Sequence, residues 1–262
     1  MKHLEAILLV LLFLALPAAV HAQFDFTTNN GTLTVKKYTG TGGAVTIPDT
    51  TNGLLVTSIA EMAFVQNPLL TGVTVPNSVT NIGDNAFYNC TSLAKVALGS
   101  GVNNIGWGAF AFCTHLTNLT VPSSVTKIGN EAFYNCYDLD TLYFWGNAPK
   151  FGAEVFATGT GSIWPTVYYL PGTTGWDSLQ VRMMCSPVLW QASGSSLVVV
   201  TNGFGFTVTG TADIPMVIEA CTDLANSAWS PQQSCTLTNG AIYFSDAQWT
   251  NYPGRFYRLR WP

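Results

Sequence analysis

The chain has 262 residues, of which 48% are apolar and only 9% charged, where soluble domains carry roughly a quarter. Ten basic residues against fourteen acidic, a net charge of −4, cannot form a Lys/Arg stripe, which excludes a nucleic-acid partner. Abundant Phe, Tyr, Trp, Val and Leu exclude a disordered chain.

The first 22 residues read as an export signal. Lys2 precedes an unbroken apolar run over residues 6–16, Pro17 ends it, and Val20-His21-Ala22 offers small residues at the cleavage positions. The run is too short to span a bilayer. The expectation is cleavage after Ala22, an exported mature chain, and no membrane span once the signal is removed.

Residues 23–182 are organised by repetition. Segments 73–95, 96–118 and 119–141 align without a gap at a period of 23. Ile82/Ile105/Ile128, Gly83/Gly106/Gly129, Phe87/Phe110/Phe133, Cys90/Cys113/Cys136 and Leu93/Leu116/Leu139 form columns. Upstream, Ile59, Ala63 and Phe64 stay in register, whereas AVTIP (44–48) comes five residues early, so TTNGL is an insertion. Downstream, Leu142, Phe144, Phe151 and Phe156 hold the core columns, and a further step puts Val167 on the strand column. About five coils result, degenerate at both ends as capping repeats are.

Within a coil, Val73-Thr74-Val75 and Leu119-Thr120-Val121 alternate as half-buried strands do. Pro76 or Pro122 then ends the strand. The Gly column is expected to supply backbone angles that a Cβ forbids, and Asn-Ala-Phe-Tyr-Asn-Cys suits a single helical turn. Stacked coils pair strand to strand in parallel, with Phe, Ile, Leu and Cys as continuous apolar columns. The chain is therefore mainly β with short helical turns.

The pattern IP-x-SV-x-x-IG-x-x-AF-x-x-C-x-x-L resembles the BspA-type leucine-rich repeats of bacterial secreted and surface proteins, over about residues 24–176. The resemblance implies a leucine-rich-repeat solenoid in a secreted or surface interaction protein, in some members an adhesin. LGSG at 98–101 departs from the pattern.

Exposed strand positions are the candidate binding surface. Thr74, Ala97, Thr120 and Tyr143 form one outward column, with Gly72, Lys95, Asn118 and Thr141 beside it. Trp107 occupies a column otherwise holding Glu61, Asp84 and Asn130, so it is expected to face solvent, as an anchor or as a scattered apolar residue. Candidate binding residues are therefore Thr74, Lys95, Asn118, Thr120, Tyr143 and Trp107.

Cys90, Cys113 and Cys136 read as a buried stack of small hydrophobes, because a 23-residue spacing lacks the paired C-x-x-C of zinc sites. Cys185 is left over. Residues 183–196 read as a linker, and 197–262 as short alternating strands of a small β-sandwich. There Cys221 and Cys235 flank a candidate hairpin, either as a disulfide or as two free thiols. Arg258 and Arg260 share one strand side while Tyr257 and Leu259 point inward; with Arg255 they read as a solvent face or, alternatively, an anion site. The ending is similar to the closing segment of C-terminal β-domains on other exported bacterial proteins.

Chemistry-bearing motifs are missing. No nucleophile elbow, zinc-protease, Walker or dinucleotide motif is present. The one histidine beyond the leader, His115, shares a polar column with Ser92 and Asp138. Catalysis would have to rest on carboxylates such as Asp138, Asp140, Glu154 and Asp177 facing one another across a cleft. The expectation is no enzyme, metal or cofactor. Instead it is a secreted or surface binding module whose partner is an extracellular protein or a glycan. Under a second reading, it is a carbohydrate-binding accessory that recognises through the C-terminal domain.

Overall fold

Each 23-residue period closes one layer of two parallel ladders. The computed structural model describes residues 23–178, 186–189, 192–200, 203–210, 215–223, 228–252 and 254–260. The expected leader, residues 1–22, and Cys185 lie outside them. One ladder stacks Thr32–Tyr38, Leu54–Ile59, Asn81–Ile82, Asn104–Ile105, Lys127–Ile128 and Lys150–Phe151. The other stacks Gly43–Thr46, Leu70–Thr74, Lys95–Ala97, Asn118–Val121, Thr141–Phe144, Thr166–Tyr169 and Ser186–Leu189.

The core lies between the ladders. Ile59, Ile82, Ile105 and Ile128 are fully buried on one wall, as are Leu119 and Leu142 on the other. Between them runs a column of parallel rings from Tyr38 through Phe64, Phe87, Phe110 and Phe133 to Phe156, with centroids 4.7 to 5.8 Å apart. The rise of a β ladder, about 4.8 Å, sets that spacing. Six rings make six layers, one more than the sequence count, because Tyr38 serves as the first ring.

The cysteine column does more than fill space. Cys90, Cys113 and Cys136 donate their thiols to the carbonyls of Phe64, Phe87 and Phe110 at 3.0, 3.2 and 3.0 Å. Burial raises the Cys90 thiol to about 11 and Cys136 to about 12, and pushes Cys113 well up too, so all three stay protonated.

The Gly column has a different cause from the one expected. Gly83, Gly106 and Gly129 are not in the left-handed region. A Cβ on Gly106 would stand 2.7 Å from the Asp84 nitrogen, and one on Gly83 2.6 Å from the Glu61 nitrogen. Close approach of successive coils, not backbone angle, demands glycine here. LGSG follows the same logic, since a Cβ at Gly99 would strike the Pro76 carbonyl.

Irregularities are confined to the ends. The TTNGL insertion is a tight hairpin pairing Thr50–Thr51 with Leu54–Leu55. Asn52 (φ 51°) and Gly53 (φ 78°) turn it, the left-handed pair that a two-residue hairpin favours. Val167 does reach the strand column, but opposite Leu142 and two residues later than a regular step. The extra length is held in a small hairpin of Ala157–Thr158 with Gly161–Ser162. An antiparallel strand, Phe24–Asn29, covers the first layer. Trp176, 2% exposed, covers the last, edge-on to Phe144 and stacked on Tyr169.

A second compact unit spans Leu189–Pro262, the first ending at Val188. Residues 183–196, read as a linker, contribute the last ladder strand and the start of the Ala192–Val200 strand. The second unit has two antiparallel three-stranded sheets. One orders Ala192–Val200, Gly203–Gly210 and Ala241–Asp246, the other Ser230–Thr236, Pro215–Cys221 and Phe256–Arg260. Phe204, Phe206 and Phe244 of the first meet Tyr257 of the second, forming the aromatic core of a small sandwich.

Candidate functional site

A parallel register with period two sends every second side chain of a ladder to the same face. Thr46, Thr74, Ala97, Thr120, Tyr143 and Tyr168 are consecutive partners across the second ladder, forming one continuous outward row. Gly72 pairs with Lys95, and Asn118 with Thr141 and Thr166 lies beside them. Thr74, Lys95 and Asn118 are exposed; Thr120 and Tyr143 are half-buried. Five of the six candidate binding residues therefore share one face.

That face is graded along the array. At its first layers the side chains are small, and a shallow cleft of about 540 Å³ runs past Thr46, Gly72, Thr74, Lys95 and Ala97. At its last layers Tyr143 and Tyr168 stack with centroids 5.5 Å apart. Lys95 is the charged group lining the cleft; hydroxyls, amides and two rings make up the remainder of the row. Such a surface recognises by shape and hydrogen bonds rather than charge.

Trp107 is exposed (43%) as expected, but it follows Asn104–Ile105 of the other ladder and does not join the row. Its backbone nitrogen donates to the Asp84 carboxylate at 2.8 Å. Around it the structure gathers residues that column reasoning left unmarked. Met62, Val65, Gln66, Asn85 and Tyr88 line with Trp107 a second cleft of about 460 Å³. For Met62 and Trp107 the signal in the sequence was departure from the repeat, since sister coils carry Asn85 and Glu131 in one column and Glu61, Asp84 and Asn130 in the other.

The groups weighed for catalysis do not assemble. His115 is exposed, and its Nδ1 contacts the Thr91 carbonyl at 2.6 Å and the Thr114 hydroxyl at 3.3 Å. Asp140 precedes Thr141–Phe144 of one ladder, and Glu154 follows Lys150–Phe151 of the other. They belong to different walls of the solenoid.

In the second unit, Cys221 and Cys235 do not pair. Cys235 faces Met216 across the two strands and Cys221 lies at the far end of the same strand, so both thiols are free. The arginines alternate as expected, but Arg258 and Arg260 both close on Glu219, at 2.7 Å each. These guanidiniums, Arg260 foremost, hold the Glu219 carboxyl below its ordinary value. Arg258 also lies over the Trp229 ring. Arg255 pairs with Asp246 at 3.1 Å, and Asp246 accepts the Tyr257 hydroxyl at 2.8 Å. Burial and that carboxylate push the Tyr257 phenol up. These are closed structural contacts rather than an open anion site.

Comparison with known proteins agrees with this geometry. The model of the BspA type leucine rich repeat region matches residues 44–163 in six copies. The T. pallidum leucine rich repeat protein TpLRR is similar at 30% identity and a TM-score of 0.52, over 56% of this chain and 69% of its own. A leucine-rich repeat protein from Bacteroides capillosus shares 38% identity over 47% of this chain and 95% of its own, with a TM-score of 0.42. A leucine rich cell surface protein from Faecalibacterium prausnitzii shares 25% identity over 70% of this chain and 56% of its own, with a TM-score of 0.40. No protein of curated function matches the chain. The chain belongs to the BspA-type leucine-rich repeat family.

Proposed function

We propose that this protein is an exported, non-enzymatic interaction module that binds an extracellular protein through the outward row of its second ladder. The observation that carries the reading is the uninterrupted register from Thr46 to Tyr168. It presents an almost charge-free face on a repeated scaffold, graded from small side chains to stacked tyrosines, without a base–nucleophile pair beside it among the described residues. A rigid face loses little entropy on binding, so modest contacts suffice. Export after removal of residues 1–22 is part of the same reading, supported by surface location in the Faecalibacterium prausnitzii relative.

Carbohydrate recognition by the second unit is the alternative. It is favoured by a groove of about 460 Å³ flanked by Phe204, Phe206, Phe256 and Tyr257 with Arg255 and Arg258. The discriminating experiment applies the full-length protein to a panel of immobilised extracellular proteins and to a glycan array. A double substitution, Thr120→Arg with Tyr143→Ala, should abolish protein binding without altering the melting transition. Glycan binding that survives this substitution and is lost in Phe256→Ser would overturn the proposal in favour of the alternative.

A further inference from the structure

The internal repeats act as a control for one another, because sister residues share backbone, neighbours and exposure. Against that control, the cleft around Trp107 is anomalous three times. Its column carries Glu61, Asp84 and Asn130, and two of these serve the next coil: Asp84 Oδ1 accepts the Trp107 nitrogen and Asn130 Oδ1 accepts the Ala153 nitrogen. An indole has no acceptor, so the coil forgoes this bond where Trp107 stands. Met62, 48% exposed, sits at φ 57°, a left-handed position held in sister coils by Asn85, Gly108 and Glu131. Phe112 sits at φ 62° where sister coils hold Asn89 and Asn135. Bulky apolar residues are outliers in that region, which favours Gly and Asn.

Backbone preference accounts for none of these choices, and of the three only Phe112 is packed between rings, those of Tyr88 and Tyr134. Each places an apolar side chain on one patch of surface. Phe112 lies against Tyr88 with centroids 5.1 Å apart, and Tyr88 floors the cleft walled by Met62, Val65 and Trp107. Met and aromatic residues around a small pocket are the composition of a protein-contact core. The margin is acidic: Glu61 and Asp84 are exposed beside Met62 and Asn85, and neither forms a salt bridge among the described residues. Lys127 and Lys150 lie further along the wall, in the adjoining cleft that Asp84 and Trp107 share.

We infer that this cleft docks a basic–apolar peptide segment of a protein partner. An aliphatic or aromatic anchor enters between Met62, Val65 and Trp107, and a flanking Lys or Arg meets Glu61 and Asp84. The site lies on the turns that follow the strands of the first ladder and does not depend on the outward row of the second being used.

Panning a random peptide library against the full-length protein tests the inference. Selected peptides should pair an apolar anchor with a neighbouring Lys or Arg. They should bind the double variant Met62→Asn/Trp107→Asn roughly tenfold more weakly or worse, as loss of an aromatic anchor does. That variant carries the residues of sister coils, so its melting temperature should equal or exceed that of the parent. A second variant, Val65→Tyr, carries the sister residue of Tyr88 and Tyr134 and should block the cleft by filling it. A library yielding no variant-sensitive peptide, or one yielding anchors without basic neighbours, overturns the inference. So does variant-sensitive binding on a glycan array, or variant-sensitive self-association in sedimentation.

Discussion

The solenoid and the C-terminal sandwich are built from the same charge-poor composition but are held together differently. The described salt bridges all lie in the second unit, where Glu219, Arg258 and Arg260, and separately Asp246 and Arg255, tie strands together. The solenoid relies instead on columns: rings, aliphatic side chains and thiols, each satisfied by the coil before it. A unit spanning Leu189–Pro262 buries a smaller fraction of its surface than a larger domain, and side-chain pairs supplement its core. A ladder has no such shortage, because every added layer buries the face of its neighbour. The difference teaches that the two units are set apart by how their few charges are used, and not by how many they carry.

Three substitutions sharpen or break this contrast. The largest effect belongs to Phe110→Ala, in the middle of the ring column and fully buried. It should cost about 3–5 kcal/mol of stability, the range for deleting a core aromatic, read by denaturant unfolding of the full chain. A loss below about 1 kcal/mol would show that the column is not what holds the layers. Gly106→Ala comes next, at about 2 kcal/mol, because its Cβ would press on the Asp84 nitrogen 2.7 Å away. If this variant proved as stable as the parent, the close approach of coils would not be the reason for glycine.

Glu219→Gln should have the smallest effect, confined to the sandwich and read by the fluorescence of Trp229 under Arg258. Its signature is in the pH dependence. The folded carboxyl lies below its ordinary 4.5, so its stabilisation is fully present above that value. It is lost as pH falls through the lowered folded value. The parent sandwich should therefore weaken on acidification by a step that the Gln variant lacks, while the ring column ignores the change. Equal acid profiles for the two proteins would remove Glu219 from the account.

Much of the solenoid is legible in residues alone. A column of identical residue types at constant spacing admits few arrangements, so the Ile, Phe, Cys and Leu columns and the TTNGL insertion appear where the alignment puts them. Misreadings cluster where the period stops constraining the chain. The sixth layer escaped counting because Tyr38 replaces Phe and the insertion breaks the spacing. Val167 fell two residues out because a hairpin after Phe156 absorbs length without disturbing any buried column. The Gly column was recognised, but its cause is interlayer distance, which no single coil reveals.

The candidate site divides along the same line. Alternation alone puts Thr74, Lys95, Asn118, Thr120 and Tyr143 on one face, since a strand has only two. Trp107, just past the other ladder, belongs to a different wall, and only the turn between ladders decides that. In the sandwich, hairpin flanking left a Cys221–Cys235 disulfide and two free thiols both open, and strand register separates the two cysteines. Long-range pairs such as Glu219 with Arg258 and Arg260 have no period to announce them.

Repetition, then, carried the layer structure, its core columns and its outward row, because a repeated unit must bury the same face each time. Which exposed residues become neighbours was decided in three dimensions. The cleft of Met62, Val65, Tyr88 and Trp107 is assembled from three successive coils, and no single coil contains it. Their proximity follows from stacking at the rise of a β ladder, a distance that sequence separation does not express.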